Sequence, residues 1–126
     1  MRLIPAKFLA LAGLLASAPV LPALAHAPKT GSHGGPQTDA GPYHVELVAS
    51  GTTLELYLRS HADQPVTTAG FKGTAILVVD GKPQRITLEP QGDRLTGTSP
   101  VSLPAALKGA VQLTTPNGST ASGKFN

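Results

Sequence analysis

The sequence predicts a small all-β protein, an antiparallel immunoglobulin-like β-sandwich or an open barrel, on three observations. From Tyr43 onward, Val, Ile, Leu and Thr recur in short runs that alternate apolar and polar residues with period two, the spacing of a strand with one buried face. Turn signals separate these runs at fairly regular intervals, at Ser50-Gly51, Asp80-Gly81, Gln91-Gly92-Asp93 and Asn117-Gly118. No window has helical periodicity, and no heptad or internal repeat is visible.

Before these strands come two segments of different character. Residues 1–25 have the form of a secretory signal peptide: Arg2 and Lys7 supply a basic start, Phe8 to Ala18 is apolar without a charge, and LPALA ends in small residues. Cleavage after Ala25 is favoured over cleavage after Ala27, because the latter would set Pro28 directly behind the scissile bond. The expected mature chain therefore begins at His26. The apolar run is too short to span a bilayer and no second one follows, so the expectation is a periplasmic protein without a membrane span. Residues 26–42, HAPKTGSHGGPQTDAGP, contain no large apolar side chain, and composition alone makes them a flexible His/Gly-rich arm. Deleting residues 26–41 should then leave the domain, 43–126, folded.

Within that body, YHVELVA and TTLELYLR form the clearest hairpin. Val45, Leu47 and Ala49 share one face, and Leu54, Leu56 and Leu58 share the facing one. A turn that pairs Ala49 with Thr52 would set His44 opposite Tyr57 and Glu46 opposite Glu55 on the outer face. GTAILVVD is apolar at nearly every position and reads as a central strand. The runs QRITLEP, RLTGTSP, AVQLTTP and STASGKF complete the set, with Pro104 to Gly109 as a connection.

Charge and composition remove several functional classes. The formal net charge of +3 falls to +1 once the signal peptide takes Arg2 and Lys7 and none of the seven acidic residues. No basic stripe remains, and Tyr43, Tyr57, Phe71 and Phe125 do not alternate with Lys or Arg, so no nucleic-acid partner is expected. The absence of cysteine removes thiolate metal sites and cysteine nucleophiles; the single methionine is Met1, which excludes thioether sites from the mature chain. No HExxH, nucleophile-elbow or paired-acid pattern occurs, and the protein is not expected to be an enzyme.

The histidines carry the chemistry that remains. Three of the four, His26, His33 and His44, fall within the arm and the start of the first strand. A histidine at a mature N-terminus chelates through its imidazole and its α-amine, which loses its proton more readily than a lysine amine. His33 on a glycine-rich arm can fold back, His44 offers an imidazole at the strand start, and Asp39 or Glu46 can complete the shell. Such nitrogen-rich sites suit Cu(II), Zn(II) or Ni(II). The ordering cost of Gly34 and Gly35 favours an exchangeable site. His61 lies beside Asp63 and reads as half of a pair that stabilises its loop.

The stretch His33-Gly34-Gly35, Asp39, Gly41-Pro42-Tyr43-His44-Val45-Glu46-Leu47 resembles the opening of the extra periplasmic domain of heavy-metal efflux adaptors of the cobalt-zinc-cadmium type, and small exported proteins built around that domain. The resemblance covers the first third of the mature chain well and the rest only in strand pattern and turns. The chain lacks the long helical hairpin and lipoyl-like region of a full adaptor. A weaker resemblance, through His26 alone, is to small periplasmic copper-resistance carriers; the late Asp-x-His pair of that family is missing here. These resemblances imply a free-standing metal-handling module.

The expected function is thus a periplasmic protein that binds or carries a divalent transition metal, Cu(II) or Zn(II), as an accessory to heavy-metal efflux or resistance, with periplasmic efflux components as partners. The expected ligands are His26, His33, His44, Asp39 and Glu46. The alternative is an envelope protein-protein interaction module without metal, which histidines that point apart and an exposed apolar sheet edge or face would favour.

Overall fold

The structure is a computed structural model that describes residues 29–126; the expected leader and His26 lie outside the described residues. It contains nine strands, β1 (Lys29–Thr30), β2 (Pro36–Ala40), β3 (Tyr43–Ser50), β4 (Thr53–Ser60), β5 (Lys72–Val79), β6 (Lys82–Gln91), β7 (Arg94–Thr98), β8 (Gly109–Thr114) and β9 (Thr120–Phe125). Every pairing is antiparallel, and there is no helix among the described residues. The seven strands expected from Tyr43 onward are all present.

Spatial order runs β1-β2-β3-β4-β7-β6-β5-β8-β9. β6 ties the two halves together, pairing with β5 from Lys82 to Leu88 and with β7 from Glu89 to Gln91. The ends of the order then meet. A Cβ built on Gly123 of β9 would stand 2.7 Å from the Asp39 carbonyl oxygen and 2.9 Å from Thr38 Cγ2, both on β2. The result is a nearly closed barrel, the second of the two architectures that the sequence allows.

Alternation along each strand fills the interior. Val45 and Leu47 of β3 meet Leu54, Leu56 and Leu58 of β4, and Ala75, Leu77, Ile86, Leu88, Val111 and Leu113 close the core from the other half. β5 is central, hydrogen-bonded to β6 and β8. Its second apolar face is not covered, however, and Ile76 and Val78 remain 41% and 43% exposed.

Two expectations need correction. First, Ser50 pairs with Thr53 and Ala49 with Leu54, so the β3–β4 turn is Gly51-Thr52. Gly51 takes φ 62° at the first turn position, as a two-residue hairpin of this hand requires. The slip of two residues preserves the inward faces but changes every outward pair: His44 lies opposite Arg59, Glu46 opposite Tyr57, and Val48 opposite Glu55. Second, the described part of the arm is not irregular. β2 pairs with β3 through Gln37↔Glu46 to Ala40↔Tyr43, and Ala40 is fully buried in the core. A segment without large apolar side chains still has backbone groups to pair, and here the open edge of β3 accepts them.

The seam between β9 and β2 has a direct test. Gly123→Val would force a side chain against the β2 backbone, and overpacking of this kind costs about 1–3 kcal/mol. At about 4–8 °C per kcal/mol for a domain of this size, the melting temperature should fall by roughly 5–20 °C. An unchanged melting temperature would show that the barrel is open at this seam.

Candidate metal centre

Two clusters of polar side chains lie on the outer side of β3, two residues apart. The first is built on the pair Asp39 and His44, which are directly opposite across β2 and β3. His44 Nδ1 lies 2.6 Å from Asp39 Oδ1. An ionised carboxylate only accepts, so Nδ1 carries the proton, and in the neutral ring Nε2 keeps the lone pair.

His61 joins this pair from the loop after β4. Main-chain bonds from Ser60 N to the Gln64 carbonyl, 2.8 Å, and from Asp63 N to the Ser60 carbonyl, 2.8 Å, shape that loop. Arg59 pins it by donating from Nε to Asp63 Oδ1 at 2.9 Å and from its terminal nitrogen to the Asp63 carbonyl at 2.7 Å. Asp63 is thus the partner of Arg59, not of His61 as expected. His61 reaches back over the β2–β3 turn, where Nε2 donates to the Gly41 carbonyl at 3.1 Å, leaving Nδ1 as the free acceptor of the neutral ring. Its ring stacks on that of His44, with centroids 4.7 Å apart and planes 13° from parallel.

Asp39, His44 and His61 each bring a potential ligand atom within 4.8 Å of the other two. Asp39 is exposed and His44 half-buried, so the group is open to solvent on one side. Metal-binding imidazoles are commonly fixed through their other nitrogen by a carboxylate or backbone carbonyl, and both rings here are held in that way. Near-parallel rings cannot aim two in-plane lone pairs at one ion about 2.0–2.1 Å from each nitrogen. Coordination by both therefore requires one ring to turn.

The second cluster surrounds Glu46. This residue, expected to face outward, is only 1% exposed. The turn between β1 and β2 folds over it: Oε2 accepts from the backbone N–H of His33 and of Gly35, both at 2.8 Å, and Oε1 accepts from His33 Nδ1 at 2.9 Å. Glycine is required on both sides of the carboxylate by close approach. A Cβ on Gly31 would overlap the Glu46 carboxyl group, and one on Gly35 would overlap the Leu47 carbonyl oxygen.

The His33 ring then lies flat on Tyr57, with centroids 3.6 Å apart and an interplanar angle of 11°. Arg94 donates to the Tyr57 hydroxyl at 2.9 Å and to Glu55 Oε2 at 3.0 Å. Those contacts, the Tyr57 hydrogen bond first and the Glu55 charge after it, hold Arg94 above its ordinary pKa. Glu55 is thus neutralised by Arg94 and makes no like-charge contact with Glu46.

Of the five expected ligands, Asp39 and His44 come together, His33 and Glu46 form a separate closed pair, and His26 lies outside the described residues. His61 is the member that sequence reasoning assigned elsewhere. The signal that places it is the hairpin register, which sets Tyr43 opposite Ser60 and so brings the next residue, His61, beside the Gly41-Pro42 turn.

No protein-family model matches the chain, and the searches of curated proteins and of solved structures return no significant match. No helix among the described residues is long and apolar enough to cross a membrane.

Proposed function

We propose that the protein binds or carries a divalent transition metal in the periplasm, as an accessory to heavy-metal efflux or resistance, through an exchangeable site formed by Asp39, His44 and His61. The observation that carries this reading is the convergence of those three side chains within 4.8 Å at an open surface. Two imidazoles and a carboxylate suit Cu(II) or Zn(II), and each ring is already fixed in the tautomer that leaves one nitrogen available. The need for a ring to turn, with one side open to water, favours exchange over permanent retention. The compartment and the link to efflux rest on the leader-like residues 1–25 and on the resemblance of residues 33–47 to efflux-adaptor domains. Binding, not catalysis, is the role assigned.

Calorimetric titration of the processed chain, beginning at His26 without a tag, tests the assignment. One equivalent of Cu(II) or Zn(II) should bind, and His44→Ala and His61→Ala should each weaken binding by about ten-fold or more, which is about 1.4 kcal/mol. Asp39→Asn should cost roughly 10–100-fold if the carboxylate orients His44 or ligates the ion. His33→Ala should change little, since its ring is engaged by Glu46 and Tyr57; a loss as large as that of His44→Ala would move the site to the arm, with His26. Affinity should fall as the pH is lowered, because protons compete for the imidazole nitrogens. Absence of saturable binding, or equal affinity in all variants, would remove the metal reading and leave the docking module.

A further inference from the structure

We propose that the outer face of the β5, β6, β8 and β9 half of the barrel is a docking surface for an anionic lipid bilayer. Ile76 and Val78 stand exposed at its centre. The ladder places cations on both sides of them: Arg85 is the direct partner of Ile76 across β6, and Lys124 lies beyond Ala110 on the other side. Lys108 borders Val78, whose N–H donates to its carbonyl at 2.9 Å. Lys72 lies farther along the same face of β5 and is exposed.

No carboxylate occurs in β5, in β6 from Lys82 to Leu88, in β8 or in β9; the exposed acids of this half, Asp80 in the β5–β6 turn and Glu89 farther along β6, lie at its margins. Among the described residues, none of these four cations makes an ion pair, whereas Arg59 and Arg94 on the other half are both paired. Four unpaired cations therefore flank an exposed aliphatic pair, with Asp80 and Glu89 at the margins. The complement of this face is a surface that is negative and has an apolar layer beneath.

The residue types favour a bilayer over an acidic protein. Protein interfaces are enriched in aromatic residues and Arg and depleted in Lys. Here three of the four cations are Lys. Lysine is a hydrated point charge on a flexible stem, poorly suited to directional pairing but well suited to a diffuse layer of lipid phosphates. The metal group lies on the other half of the barrel, so this face functions whether or not that site does.

Co-sedimentation with vesicles tests the proposal. The chain beginning at His26 should sediment with phosphatidylcholine vesicles containing about one-third phosphatidylglycerol, remain in solution with pure phosphatidylcholine, and be released by salt. The triple variant R85Q/K108Q/K124Q should lose about ten-fold or more in binding, and Ile76→Ser with Val78→Ser should also weaken it. S50E/T52E/Q64E makes the same change in net charge at exposed positions on the other half and should have a clearly smaller effect. All the substituted positions are exposed, and an unchanged thermal transition verifies folding of each variant. Equal loss in the two triple variants would show attraction by net charge alone and overturn the docking face. No binding to anionic vesicles would overturn the lipid assignment and leave an acidic protein as the occupant.

Discussion

Glu46→Ala should destabilise the domain by about 2–4 kcal/mol, although Glu46 is one of the polar positions of an alternating strand. The substitution removes a carboxylate that is 1% exposed and accepts three hydrogen bonds. Two backbone donors and His33 Nδ1 would lose their partner, and a buried donor left unsatisfied costs about 1–3 kcal/mol. Water entering the space left behind offsets part of this total. At about 4–8 °C per kcal/mol the melting temperature should drop by roughly 8–32 °C. Glu46→Gln should lie between the two, because an amide oxygen can keep the backbone N–H groups of His33 and Gly35 while its NH2 donates to His33 Nδ1 in the other tautomer. Urea titration of the three proteins measures the difference. A loss below about 0.5 kcal/mol for alanine would mean that the β1–β2 turn is not held by this carboxylate.

A chain that begins at Pro42 should lose its cooperative unfolding transition altogether. The deletion removes β1 and β2, and with them the ladder on the free edge of β3, the buried Ala40, and the segment that meets Gly123 of β9. It also removes the turn that covers Glu46, together with the His33 and Gly35 donors to its carboxylate. Small domains have only about 5–15 kcal/mol of stability, and the combined loss is of that order. A chain that begins at Lys29 keeps all the described strands and should melt as the longer chain does. Calorimetry of the two truncations distinguishes them. A cooperative transition at an unchanged temperature in the shorter one would return residues 29–41 to the status of a dispensable arm.

The distinction between these two truncations is also the boundary between local and long-range information in the chain. Alternation with period two, set against Gly-containing turns, is enough to determine the strands from Tyr43 to Phe125, the inward positions of Leu47, Leu56 and Leu77, and an all-β antiparallel fold. Each is a property of a few neighbouring residues. A register error of two in the first hairpin leaves those inward positions correct, because side-chain direction repeats every two residues, yet it misassigns every partner of His44 and Glu46. β2 escapes composition-based reading because PQTDA buries little of its own; its stabilisation comes from the edge of β3 and the approach of β9, distant in sequence. Glu46 looks like an exposed strand residue until the Gly31–Gly35 turn covers it. The histidines are divided by the same geometry. Their clustering between positions 26 and 44 brings attention to the arm, but it is the return of β4 and its loop that carries His61 to Asp39 and His44, while the turn over Glu46 draws His33 away. Sequence alone determined the strands and the supply of nitrogen and oxygen donors. Barrel closure decided which donors meet, because a site assembled from three segments depends on register and on packing between strands that no short window of residues contains.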